Sequence, residues 1–250
     1  MATKKTAKKK ASSKAVAKVK SKALSTTDVD AAMAAEIEDI ANKIGATETN
    51  NIKVKQNKTF TFPDGVEDSG PVDLVVIAFN SKNTFYDAAY NADNPTPPAC
   101  FAMGDNPRDL IPSKSSPEAQ SSACTGCPMN EFGSDGNGKA CKNTRSLIVM
   151  RADDDPETGQ LMAMSVSPTA IRAFDGFVKS VATNFSAPPV KVIVSVGFSE
   201  AKSYACLTFG DVQPNPDYKA HYMRKVEAED MLNVEPDVTG YEKPKKRGRR

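Results

Sequence analysis

A mainly β (α+β) fold is predicted: an OB-like antiparallel barrel with an inserted four-cysteine loop and two or three helices, flanked by disordered basic tails. Three observations predict it. Short segments with apolar residues at period two follow one another as meanders and do not alternate with helices, which argues against a parallel sheet. Four of the 5 cysteines gather between residues 100 and 141. Both ends carry runs of Lys and Arg with no acid among them. One domain over residues 26–234 follows, between tails 1–25 and 235–250. A β-sandwich is the alternative arrangement of the same strands.

Taken in order, residues 1–25 are low-complexity Lys, Ala and Ser, a composition that buries too little apolar surface to order itself. Val29, Met33, Ile37, Ile40 and Ile44 then fall on one helical face, with Gly45 where a C-terminal cap belongs. From residue 51 the period changes to two: Ile52 and Val54, then Phe60 and Phe62, before the Pro63-Asp64-Gly65 turn. Residues 72–79, VDLVVIAF, read as a buried strand continuing toward Tyr86, and residues 100–103 as a short one. A polar Ser- and Pro-rich loop separates the latter from the cysteine cluster. Residues 146–151 and 161–166 form a hairpin around the acidic turn 153–159. Ser167 and Pro168 suit the N-cap and first position of a helix with the stripe Ile171, Phe174, Val178 and Val181. Val190, Val192, Val194, Val196 and Phe198 alternate on a strand that pairs back with residues 204–209, and residues 218–232 read as a last helix.

The chemistry concentrates in residues 123–144, ACTGCPMNEFGSDGNGKACKNT. The C-x2-C spacing lets Cys124 and Cys127 converge on one metal, and the Gly-rich run lets Cys141 fold back to the same point. Cys100 completes a tetrahedral four-thiolate set, so a structural Zn2+ is expected on Cys100, Cys124, Cys127 and Cys141. A redox C-x-x-C pair and a three-cysteine site closed by His221 are the alternatives. Four thiolates leave no open position for a catalytic water. Cys206 reads as a small buried apolar residue.

The chain has 250 residues, 33 Lys and Arg, 31 Asp and Glu and one His. Its net charge of +2 hides an asymmetry. Residues 1–23 hold nine Lys, and residues 243–250 hold six Lys and Arg. Setting those 15 aside leaves 18 cations against all 31 acids, a formal −13 for residues 24–242. Basic arms of this kind release counterions from a polyanion. No apolar run is long enough for a membrane span, and the Lys-rich N-terminus lacks the apolar core of a secretory signal. A reducing, intracellular location is therefore expected, where thiolate ligands are favoured over disulfides. No P-loop, H-E-x-x-H, nucleophile elbow or deaminase H-x-E partner to the C-x-x-C is present, so no enzyme activity is expected.

The run CTGCPMNEFGSDGNGKACKNTR, followed by SLIVM, resembles a family of phage and prophage proteins with the signature C-x-x-C-P-x-N-x-[FW]-G-S…G-K-x-C-[KRS]-x-x-R. That family shares the lone upstream cysteine after a Pro-rich loop, here Cys100. It also shares the order of helix, V-x-V strand and Y-x-x-L-x-F strand, here residues 170–209. The resemblance covers roughly residues 70–230 and implies zinc, a viral origin and similarity to phage single-stranded-DNA-binding proteins.

A single-strand binder of phage replication or recombination needs cations that track phosphates and aromatics that stack on bases. Lys139, Lys142, Arg145 and Phe132 by the cysteine loop are the first candidates. Lys53, Lys55 and Lys58, beside Phe60 and Phe62, are the second, with Tyr86 and Tyr90 near a loop; core packing competes for the phenylalanines. Duplex DNA or RNA is the alternative polyanion. The Arg247-Gly248-Arg249 core of the C-terminal run resembles an AT-hook, whose arginines enter a narrow minor groove. A zinc-stabilised module meeting phage replication or host transcription proteins is a third reading.

Overall fold

The computed structural model describes residues 50–88 and 96–243, which all belong to one unit spanning Thr49–Arg250. The 1–25 tail, the stripe from Val29 to Ile44, Tyr90, Arg247 and Arg249 lie outside the described residues.

The molecule is mainly β with α-helices, built on one 14-residue strand, β4 (Val72–Phe85). Leu74 to Ala78 are all buried, so this strand is covered on both faces, as its continuous apolar run requires. Along one edge β6 (Cys141–Arg151) pairs antiparallel with it, from Leu74 opposite Arg151 to Phe85 opposite Cys141. The other edge is shared. β8 (Val192–Phe198) takes Val72 to Leu74, and β5 (Cys100–Gly104) takes Ser81 to Phe85. The remaining strands are β1 (Asn51–Lys55), β2 (Thr59–Thr61), β3 (Glu67–Asp68), β7 (Met162–Val166) and β9 (Leu207–Pro214). The order is β3-β2-β1-β7-β6-β4-β8-β9, with β5 beside β4.

The sheet curls into a half-barrel. Phe60 of β2 stacks on Phe198 of β8 with ring centroids 4.5 Å apart, and Lys58 Nζ donates to the carbonyl of Ser199 at 2.9 Å. Side chains, not a strand ladder, thus bring the two far sides together. Helix α1 (Ile171–Phe185) fills the inner face with Phe174, Phe177 and Val181 against Leu74, Leu147 and Val194. On the outer face, α3 (Lys225–Leu232) lays Ala228 and Leu232 over Val75, Ile77, Ile148 and Met150. No described helix is long and apolar enough to cross a membrane.

Four details differ from the sequence expectation. The sheet is mixed, because β1 runs parallel to β7, with Ile52 opposite Met164. Hairpin turns dictate direction only between neighbours in sequence, and these strands are over a hundred residues apart. Ser167 does not cap α1. Its hydroxyl is engaged with Thr169 Oγ1 at 3.0 Å, its carbonyl accepts from Ala170 N–H in a separate turn, and Ala170 takes the cap position without a side-chain bond. The last helix is two, α2 (Tyr218–Met223) and α3, divided at Arg224. That guanidinium donates to the carbonyls of Glu157 and Gly159 and so bends the chain toward the acidic turn. Finally, the segment from Glu235 to Lys243 touches the body: Glu235 with Ser113, Tyr241 with Asp87, and Lys243 with Glu118 at 2.7 Å.

Candidate metal centre and adjoining groove

Cys100 opens β5 and Cys141 opens β6, and each stands opposite Phe85 from one side of β4. Directly opposed residues share a face, so both thiols project from the same side of the sheet. The loop between the strands supplies the other two. Cys124 N–H donates to the Leu110 carbonyl at 2.9 Å, and Leu110 packs on Ala102 and Cys124. A turn follows in which Gly126 takes a φ of 76°, a region open to glycine, and Cys127 N–H points at the Cys124 carbonyl at 3.4 Å. Pro128–Asn130 completes it as a 3-10 turn.

All four thiols are free, buried and on the wall of one cavity of about 10 Å³, room for an ion and not for a substrate. Burial pushes the Cys141 thiol up to about 12, with the charges of Cys124, Cys100 and Cys127 adding to it. Burial also raises Cys124, while a hydrogen bond with Asn83 opposes the rise. Without a cation these two thiols stay protonated at neutral pH; a divalent cation inverts that preference and releases protons.

The donors are gathered but not closed into a cage. Among the described residues, no three His, Cys, Asp or Glu side chains stand at metal-ligand spacing. Geometry gives the reason. Cys100 and Cys141 are two strand spacings apart, roughly 9–10 Å between backbones, whereas zinc–sulfur bonds of about 2.3 Å require sulfurs under about 4 Å apart. Rotation of both side chains inward over Phe85 is what a metal would ask of them. The donor set fits a structural zinc: sulfur only, buried, with no carboxylate or imidazole among the described residues of the cavity wall. His221 is elsewhere, buried in α2 with Nδ1 against Asn215 and the Asp217 carbonyl. Cys206 lies apart too, its Sγ 3.8 Å from the Thr169 carbonyl.

Between Cys127 and Cys141 the chain makes a small hairpin, with Gly133 at φ 91° and paired bonds between Asp135 and Gly138. Its outer side carries Phe132, 82% exposed, with Lys139 Nζ 5.1 Å from the ring centroid. This loop faces α1 across an open groove of about 790 Å³, lined by Phe132, Lys139, Lys142, Arg172, Asp175 and Lys179. Gly176 widens it, since a Cβ there would meet nothing within 4 Å. Cys141 borders both the groove and the thiol cavity.

Three of the sequence candidates, Phe132, Lys139 and Lys142, therefore meet in one groove. Lys142 also pairs with Asp135 at 3.2 Å. Arg145 is committed elsewhere: it grips Asp175 with two bonds, at 3.1 and 2.9 Å, and its side chain is only 11% exposed. None of Lys53, Lys55 and Lys58 lines the groove. Lys53 and Lys55 are exposed on β1, Lys55 is paired with Glu67, and Lys58 holds Ser199. Phe60 and Phe62 are buried, so core packing takes both. The groove adds Arg172 and Lys179, which the sequence reading passed over. Their spacing of seven places them on one helical face, away from Phe174 and Val181, and that pattern was visible in the sequence.

Comparison with family models, with curated proteins and with solved structures finds no match to this chain.

Proposed function

We propose that the chain is a single-stranded nucleic-acid-binding protein, most suited to single-stranded DNA, whose groove between the cysteine loop and α1 is the binding surface. The observation that carries this reading is one exposed aromatic ring set among four cations. Phe132 offers a face to an unpaired base, and Lys139, Lys142, Arg172 and Lys179, cations that can meet phosphates, line the same groove. Asp175 is the one acid among the described residues of the lining, and Arg145 already neutralises it. A stacked duplex hides its base faces and gains nothing from such a ring, so the arrangement favours single strands.

Zinc on Cys100, Cys124, Cys127 and Cys141 has a structural role in this reading. Bound there, it supplies a fixed point that ties the Phe132 loop to the ends of β5 and β6. The curled half-barrel is then used as an OB-like platform, and the protein serves phage replication or recombination in the host cytoplasm. Protein partners of those systems would meet other surfaces. The residues carry no catalytic role.

The test is binding of labelled oligo(dT) and of a matched duplex to the zinc-loaded chain, with and without Phe132→Ala and Lys179→Ala. Preference for oligo(dT), lost by roughly tenfold or more in Phe132→Ala, is expected; base–aromatic stacking is worth about 1–3 kcal/mol. Equal binding of duplex, untouched by either substitution, overturns the groove and leaves the basic ends, with Arg247 and Arg249, as the binding element.

A further inference from the structure

The wall between the thiol cavity and the groove is built of asparagines. On the face of the sheet that carries Cys100, Phe85 and Cys141, the next row is Ala102, Asn83 and Asn143, since Asn83 stands opposite both of the others. Asn143 Nδ2 donates to Asn83 Oδ1 at 2.7 Å and to Asn130 Oδ1 at 3.0 Å. Asn130 Nδ2 in turn donates to the Cys124 carbonyl at 2.9 Å, and its Oδ1 accepts from Lys139 Nζ at 3.4 Å. Lys139 sits over the Phe132 ring.

One connected path therefore runs from the thiols to the groove. Asn83 borders the thiol cavity beside Cys124 and is 6% exposed. Asn130 borders the thiol cavity, and Asn143 borders the groove. Asn83 is buried and Asn130 and Asn143 are half-buried, so parting these amides from one another is costly and a displacement of one is passed to the next. A metal that drew the sulfurs together would act on the Cys124 turn and the start of β6, and these amides join both to Lys139 and Phe132.

We infer that Asn130 and Asn143 are positioning residues that tie divalent-metal occupancy of the cysteine cavity to the single-strand affinity of the groove. The inference rests on the proposed reading of the groove. Coupling of this sort is reciprocal: whatever factor the metal adds to nucleic-acid affinity, the nucleic acid adds to metal affinity. The groove is then sensitive to metal supply and to any oxidant that removes thiolates from the set.

The experiment measures zinc affinity of the full chain by competition with a chelating dye, with and without saturating oligo(dT) of about 16 nucleotides. In the parent the oligonucleotide should lower the zinc dissociation constant about fivefold or more. Asn143→Leu should still hold one zinc but lose that shift, and its oligo(dT) affinity should fall toward that of the metal-stripped parent. Asn130→Ala, on the loop and outside the sheet, carries the same expectation should Asn143→Leu fold poorly. A parent zinc constant indifferent to oligo(dT), or variants that keep the full shift, overturns the coupling. Phe132→Ala separates the two levels. If it weakens oligo(dT) while zinc and oligonucleotide remain independent, the coupling alone fails. If it leaves oligo(dT) binding unchanged, the groove reading fails and the coupling with it.

Discussion

Cys100 and Cys141 face the same residue, Phe85, from opposite edges of β4. Forty residues of intervening chain are thereby reduced to the width of one strand. The sheet, not the loop, decides where these two thiols stand, and the loop has only to deliver Cys124 and Cys127 above them.

Purified protein should contain about one zinc per chain, held by sulfur. Cys124→Ser and Cys141→Ser should lose the metal and lower the melting temperature. Cys206→Ser, whose thiol sits by Thr169, should keep the full metal content. Elemental analysis and the spectrum of the cobalt-substituted protein check this; loss of metal in Cys206→Ser with retention in Cys100→Ser would overturn the ligand set.

Metal-free protein should lose stability as pH rises through the alkaline range. The Cys141 thiol is raised from 9.0 to about 12 by burial and its neighbours. Its contribution is complete below about 9 and is lost as pH climbs toward about 12, because the unfolded thiol ionises first. Cys141→Ala should flatten this limb in thermal melts of the stripped protein. With zinc bound the sign reverses, and acid should release the metal as protons compete for the thiolates.

Asp175→Asn should tighten binding of oligo(dT). The substitution frees Arg145, now held at 2.9 Å, and removes the one acid among the described residues of the groove lining. Affinity should rise severalfold at low salt, with a steeper dependence on salt concentration, because one more counterion is displaced. The stability cost of a partly exposed pair is about 1 kcal/mol or less. Unchanged or weaker binding, measured by fluorescence anisotropy at two salt concentrations, would place the phosphates elsewhere.

Removing residues 1–23 and 244–250 should leave the melting temperature within a few degrees. Ending the chain at residue 234 should lower it further, since that also deletes the contacts of Glu235, Tyr241 and Lys243 with Ser113, Asp87 and Glu118. Burial and those two carboxylates raise the Tyr241 phenol above its usual range, as expected of a hydroxyl donating between acids. Tyr241→Phe should reproduce part of the loss; an unchanged melt would mean that the segment from Glu235 to Lys243 contributes nothing.

By itself the sequence made most of the strands and part of the α1 core face legible, and it singled out the four cysteines that line one cavity; Phe177, buried in α1, was outside the expected stripe. Period-two burial made Val192, Val194 and Val196 legible, and helical spacing did the same for Phe174 and Val181. The C-x2-C turn identified Cys124 and Cys127 because its geometry is local. The tertiary structure alone decided what distant segments do to one another. It set β1 parallel to β7, for no turn joins them. It spent Arg145 on Asp175 and Lys58 on Ser199, and left Lys139 beside Phe132 in the groove, with Lys142 there too but paired with Asp135. Charge and ring type are written in each residue, but whether a cation is already satisfied depends on which carboxylate or carbonyl the fold brings within about 3 Å of it.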